Sequence, residues 1–158
     1  MSDRLLSNPI LKTIEVSATQ VRVFDTFVSR ISDWWPLDKF ARSRGEKPLR
    51  VVIEQFVGGS IYEISNNGDK LEWGKVRIIE PYSKLVMEWH LGRPIVTEVE
   101  VEFEVVSANI TRVRLTHRGW EKLEAVGATT ERGGYECGWT VIFEQSFLNA
   151  ASLGEVSK

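Results

Sequence analysis

A chain of 158 residues, 42% apolar and 27% charged, has the composition of one soluble globular domain, large enough to bury a core or enclose a cavity. A net charge of −2 supplies no basic field for nucleic acid or an anionic membrane, and a lone cysteine, Cys137, excludes an internal disulfide and a multi-cysteine zinc site. No apolar run approaches the roughly 20 residues that span a bilayer, so no membrane span is expected, and a reducing cytoplasm is the expected location.

Residues 1–9 read as a loose terminus, without the apolar run of a signal peptide. Ile10 to Val16 reads as a strand. Thr19 is a good N-cap, and Val21, Val23, Phe24, Phe27, Val28 and Ile31 recur at helical spacing, which predicts a helix ending near Ser32. Asp33-Trp34-Trp35-Pro36 follows, where the proline forces the chain out of the helix. The two tryptophans suit either core packing or the wall of a pocket. Asp38 to Pro48 is polar and basic and reads as a loop.

Six strands are predicted next. Leu49 to Phe56 and Ser60 to Ile64 flank the Gly58-Gly59 turn, and Asn66 to Asp69 is a second turn. Leu71 to Ile79 and Lys84 to Leu91 follow, closed by Pro81 and by Gly92 and Pro94. The clearest pattern is TEVEVEFEV. Val99, Val101, Phe103 and Val105 share one face, and Glu98, Glu100, Glu102 and Glu104 the other, the signature of a half-buried antiparallel strand. The return strand, within Thr111 to Trp120, sets Val113, Leu115 and His117 on one face and Arg112, Arg114, Thr116 and Arg118 on the other. The arginines should therefore oppose the glutamates on the outside of one hairpin. Gly134 to Leu153 reads as a long helix with an apolar face of Tyr135, Trp139, Ile142, Phe143, Phe147 and Ala150. Helix, antiparallel strands and a final helix define an α+β fold whose bent sheet grips that helix. The six tryptophans call for a large apolar interior, a ligand-facing surface, or both.

No catalytic, phosphate-binding or metal-binding motif is present, so no catalytic residue, metal or cofactor is expected. Cys137 with His117 is a poor nucleophile pair, because Cys137 lies near the start of an amphipathic helix. His117 faces inward with Val113 and Leu115. It is a core residue bonded to a backbone or carboxylate oxygen, a ligand contact, or an acid–base catalyst. Glu54 and Glu63 are candidate polar groups of the same interior, depending on which face of the Leu49–Ile64 hairpin is buried. Together with the aromatic residues they would make a mostly apolar pocket with a few placed polar groups.

The ordered set VRVFDTFVS before DWW, VIEQFVGGSIYE, WGKVRIIEPYSKLVMEW, TRVRLTHRGW and GWTVIFEQSFL resembles a START-like, helix-grip domain of the SRPBCC superfamily, over residues 10–153, with 154–158 as a tail. Within it the chain is most similar to the bacterial branch that resembles the activator of the heat-shock-protein-90 ATPase. The resemblance implies a β-α-α-β6-α fold with a cavity between a curved sheet and the C-terminal helix. It implies an apolar or amphipathic small molecule as partner. His117 matches the branch's Thr-His-x-Gly segment and Trp139 its Gly-Trp, while Glu63 stands where many relatives carry an apolar residue. The expected ligand contacts are His117, Trp139, Ile142, Phe143, Tyr135, Glu54, Glu63, Trp35 and Trp89. A non-catalytic binder is the leading expectation. A cyclase, dehydratase or hydrolase using His117 with a carboxylate is the alternative, and a chaperone-ATPase interaction module the third. A homodimer stays open. A chaperone ATPase is not the expected partner, because the extra N-terminal domain of the eukaryotic co-chaperone is missing from this chain.

Overall fold

The structure, a computed structural model, describes residues 9–43, 46–94, 96–120 and 128–152. The expectations of a loose N-terminus and of a C-terminal tail lie outside these residues, Pro9 apart. Strand β1 (Ile10–Val16) leads to helix α1 (Gln20–Val28) and the single turn α2 (Ile31–Trp34). Strands β2 (Arg50–Ile53), β3 (Ser60–Ile64), β4 (Lys70–Glu80), β5 (Lys84–Trp89), β6 (Thr97–Ser107) and β7 (Ile110–Arg118) follow. They form one antiparallel sheet in the order β1-β7-β6-β5-β4-β3-β2. Register shifts at Ile61/Tyr62, Val76/Ile78 and Val105/Ser107 curl it, since each extra residue bends its strand. This is the expected α+β helix-grip fold.

The curled sheet closes on a terminal helix built of α3 (Ala128–Trp139), a π-helical stretch (Thr140–Phe147) and α4 (Leu148–Ser152). The change of winding has a packing consequence. Trp139, Phe143, Phe147 and Ala151 are all buried, at intervals of four. In a pure α-helix a four-residue step rotates a side chain by about 40° past a full turn, so the last would lie about 120° from the first. The wider π turns remove that drift. The sequence period selects Ala150 for this face, whereas Ala151 is the fully buried residue.

Two other boundaries differ from expectation. Thr19 does cap α1, its hydroxyl accepting from the Arg22 amide at 3.3 Å. The helix stops at Val28, not Ser32, because the Ser29 and Arg30 amides both turn back to the Asp25 carbonyl. The second turn, α2, is pinned to β2 through Ser32, whose hydroxyl donates to the Val51 carbonyl and accepts from the Val51 amide, both at 2.7 Å. Strand β2 ends at Ile53, because Glu54 to Gly59 are spent on the turn. The Glu54 carboxylate and the Ser60 carbonyl are both occupied there, by the Ser60 amide and the Glu54 amide respectively.

The hairpin of β6 and β7 forms in the expected register, with Glu98, Glu102 and Glu104 opposite Arg118, Arg114 and Arg112. Val99, Val101, Phe103, Val113, Leu115 and His117 are buried on its other face; Val105, expected with them, is 57% exposed, beside the register shift at Val105/Ser107. Arg112 bridges Glu104 and also Glu15 of β1, so the charged ladder continues around the convex side.

Candidate functional site

A pocket of about 290 Å³ opens between the terminal helix, the segment after α2 and the end of β5. The helix contributes Gly134, Tyr135, Gly138, Trp139 and Ile142. The segment after α2 contributes Trp35, Lys39, Phe40 and Ala41. Trp89, Leu91 and Arg93 complete it. Trp35, Trp89 and Trp139 form an apolar floor in which every pair of rings is 5.9–6.0 Å apart. Trp73 backs this floor, 5.0 Å from Trp35 and 5.8 Å from Trp89. The floor follows from alternation on β5, which points Met87 and Trp89 inward, and from the Pro36 break, which turns Trp35 toward the helix while Trp34 packs on Phe27 and Phe147. Leu91 reaches the pocket from a tight turn in which it and Gly92 both have positive φ, 51° and 81°, with the Gly92 amide bonded to His90 Nδ1.

His117 is fully buried but does not line this pocket; it stands behind Trp139. The Trp139 indole N–H donates to its Nδ1 at 3.0 Å. An indole nitrogen only donates, so Nδ1 is the bare nitrogen and Nε2 carries the proton. Nε2 then donates to the Thr97 hydroxyl at 2.7 Å, and that hydroxyl donates to the Trp89 carbonyl at 3.1 Å. Trp120 and Tyr135 enclose the ring at 4.3 and 4.8 Å between centroids. Burial pushes the imidazole down to about 3 from an ordinary 6.5, so it is neutral at any physiological pH. The expected backbone or carboxylate oxygen partner is therefore corrected to a tryptophan N–H and a threonine hydroxyl. With both nitrogens occupied, His117 holds Trp139 in its place on the pocket wall.

The two carboxylates fall differently from each other. Strands β2 and β3 bury Val51, Ile53, Ile61 and Glu63, the face that excludes Glu54. Glu54 caps the following turn and contributes nothing to the pocket. Glu63 is fully buried and accepts four hydrogen bonds: from the Arg42 amide (2.6 Å), the Ser43 amide (2.7 Å), the Ser43 hydroxyl (2.5 Å) and Trp73 Nε1 (2.5 Å). Burial pushes its carboxyl up, but these donors together hold it below the ordinary carboxylate value. Glu63 thus anchors the chain just after Phe40 and Ala41 and fixes Trp73 under the floor. It positions the wall and does not touch the cavity. Among the described residues no carboxylate contacts His117, so its pairing with Glu54 or Glu63 is not assembled. Cys137 is exposed, which removes the cysteine–histidine pair as well.

Of the expected contacts, Trp35, Trp89, Tyr135, Trp139 and Ile142 line the pocket. Phe143 is buried against Phe147 at 5.7 Å in a stacked arrangement and is a core residue. Sequence reasoning missed Lys39, Phe40, Ala41, Leu91, Arg93, Gly134 and Gly138. The first three sit in a stretch read as an undifferentiated loop. The glycines carry no side chain for a pattern to register. Burial pushes the Tyr135 phenol above its ordinary value, and the nearby Arg93 charge offsets part of that rise. Among the described residues no group of His, Cys, Asp or Glu is placed to hold a metal ion, and no helix is long and apolar enough to cross a membrane.

Comparison with known proteins places this architecture. No curated protein sequence gives a significant match. An anthrahydroquino-gamma-pyrone synthase, Txn09, is 30% identical, with 70% of this chain and 76% of that one covered and a TM-score of 0.52. The self-sacrificing resistance protein CalC from Micromonospora echinospora is 25% identical over 97% of this chain and 99% of its own, with a TM-score of 0.74. The Aha1 dimer from Colwellia psychrerythraea is 20% identical over 92% and 94%, with a TM-score of 0.64, which shows a shared fold. The family described as activator of Hsp90 ATPase homolog 1-like protein matches residues 17–146, and the chain belongs to that family.

Proposed function

We propose that this protein binds an apolar or amphipathic small molecule in the pocket between the terminal helix and the curled sheet, without acting on it chemically. The observation that carries this reading is the cavity of about 290 Å³, walled in part by Trp35, Trp89 and Trp139 and bordered by two glycines of the helix. Apolar surface that still faces the cavity is favourable to cover, at about 25 cal/mol per Å². The volume, about 290 Å³, suits a ligand of two or three fused rings. The hydrogen bonds of His117 and Glu63, each made to groups of the fold, support a non-catalytic role for these two residues.

The test is a titration of 2-ethylnaphthalene, followed by tryptophan emission, into the wild type and into Gly138→Leu. Gly138 lies on the pocket wall, and a Cβ there would meet Phe40 at 3.5 Å, so a leucine projects into the cavity. Binding at least tenfold weaker in the variant is expected. Equal binding to both proteins would place the site elsewhere. Native mass spectrometry of freshly purified protein, showing a co-purified small molecule lost in Gly138→Leu, would support the same conclusion.

The similarity to a synthase supports a second reading, in which a reaction runs in this pocket. Among the described residues Tyr135 is the one lining residue with a hydroxyl that can give or take a proton, so turnover would depend on it and not on His117.

A further inference from the structure

One wall of the pocket rests on a titratable side chain. Leu91 reaches the cavity from the turn that follows β5, where it and Gly92 both have positive φ, 51° and 81°. Glycine accepts that region freely, but a leucine occupies it only where its surroundings hold it. The His90 and Leu91 amides both donate to the Trp73 carbonyl, at 2.9 and 3.0 Å, and the Arg93 amide donates to the His90 carbonyl at 3.0 Å. The Gly92 amide donates instead to a side chain, His90 Nδ1, at 2.7 Å. An imidazole thus closes the turn from two residues back, the place that an asparagine or aspartate oxygen takes in an Asx turn.

That acceptor exists only in the neutral ring. With Nδ1 bare, the proton sits on Nε2, which faces Glu72 Oε1 of β4 at 3.5 Å. An imidazolium carries a proton on both nitrogens, which sets an N–H against the Gly92 N–H. Glu72 gives the charged ring another partner. The hydrogen bond from Lys75 holds the Glu72 carboxyl below its ordinary value, so it is an anion wherever histidines as a class take up a proton. The other charges around the ring are Lys75, ion-paired with Glu72 at 2.7 Å, Glu88, ion-paired with Arg77 at 3.7 Å, Arg93 on the turn itself, and Arg42. Arg42 donates to the Glu72 carbonyl at 2.8 Å and packs on the turn, where a Cβ at Gly92 would stand 2.5 Å from its Cζ.

We propose that His90 is a pH latch on the mouth of the pocket: neutral, it holds the Leu91–Gly92 turn against the cavity, and protonated, it turns to Glu72 and releases that turn. This rests on the pocket reading above and adds the regulation of that site. Once the Gly92 amide has lost its acceptor, Leu91 returns to negative φ and its side chain leaves the wall. The pocket therefore binds well above the protonation of His90 and poorly below it.

The experiment titrates 2-ethylnaphthalene, a probe with no titratable group, at about pH 8 and about pH 5.5 into the wild type, His90→Asn and His90→Ala. The wild type should bind roughly fivefold or more weakly at the lower pH, the worth of about one hydrogen bond. His90→Asn keeps an acceptor for the Gly92 amide at both pH values, and should bind equally at both with an affinity near that of the wild type at pH 8. His90→Ala has no acceptor and should bind weakly at both. Ring NMR of the wild type needs no variant. The chain has two histidines, and His117, held neutral down to about 3, gives a signal that does not move over this range. The probe should shift the His90 titration to lower pH, because binding that prefers the neutral ring opposes its protonation by linkage. Equal binding at both pH values in the wild type, or a pH dependence that survives in His90→Asn, would overturn the latch and leave the pocket reading intact. A His90 titration unmoved by saturating probe would also overturn it. No binding at either pH, with Gly138→Leu indistinguishable from wild type, would remove the pocket reading and the latch with it. Should His90→Asn not fold, the NMR titration decides the matter.

Discussion

His117 and Glu63 are two buried polar residues whose hydrogen bonds leave nothing for chemistry, and each makes a measurable demand on the fold. His117 stays neutral when folded and takes a proton near 6.5 when unfolded. Its folded value is depressed, so as pH falls below 6.5 the unfolded chain binds a proton that the native state refuses. Stability from this residue is complete above that pH and is lost steadily toward about 3. Between pH 8 and pH 5 the loss should be about 2 kcal/mol, read from urea unfolding at a series of pH values. His117→Gln keeps an acceptor for Trp139 and a donor for Thr97, and should fold with this slope removed above pH 5. An unchanged slope would refute the assignment. Glu63 titrates below this window, since its folded value lies under the ordinary 4.5 and its contribution is lost only as pH falls through that lower value. Glu63→Gln places an amide NH₂ among four donors. It should destabilise by about 2 kcal/mol or more at pH 7, as unpaired buried donors demand. Neither residue's role was legible from alternation alone. Alternation correctly turned His117 inward, but the partners, Thr97 and Trp139, are 20 and 22 residues away along the chain and meet it only through the fold.

At the scale of elements, the β6–β7 hairpin is the part most completely written in local sequence. Strict alternation from Thr97 to Phe103 and along the return strand determines face, partner and register together, and it fails only at Val105, which is exposed at the end of the hairpin. Its ion pairs are half-exposed, so Arg114→Ala should change the unfolding free energy by less than about 1 kcal/mol. Strand β4 behaves differently. Gly74 lies so close to β5 that a Cβ would fall 1.8 Å from the Glu88 carbonyl oxygen. Gly74→Ala should therefore open the β4–β5 ladder and lower the melting temperature sharply, in contrast to Arg114→Ala. A melting temperature within a degree or two of wild type would show that the strands can separate there without loss. The π-helical winding of Thr140 to Phe147 is an element property that a period of 3.6 does not anticipate, and it accounts for the exchange of Ala150 for Ala151 in the core.

For the molecule as a whole, the pocket exists because small residues of the helix face an aromatic floor. Gly138→Leu replaces a helix-interior glycine, which favours the helix by up to about 1 kcal/mol, and fills empty space without meeting backbone. It should leave the melting temperature unchanged or higher while binding is lost. That combination separates a site kept for ligand from a defect in packing, because filling a functional cavity commonly trades function for stability. A fall in both would mean that the space is needed for the fold and not for an occupant.

What the chain determined by itself is what repeats locally: the antiparallel strands, the charged outer ladder, the capped first helix, and the order of motifs that identifies a helix-grip domain. Periodicity records which side of an element is apolar, because burial acts on every residue of a face alike. Tertiary structure decided the rest. It chose Val51 and Ile53 over Glu54 for the buried face of β2, and set Glu63 under the loop and not in the cavity. It moved His117 behind Trp139. These outcomes depend on which distant donors and acceptors arrive at one point, and a hydrogen bond has a direction and a distance that no local pattern of hydrophobicity encodes.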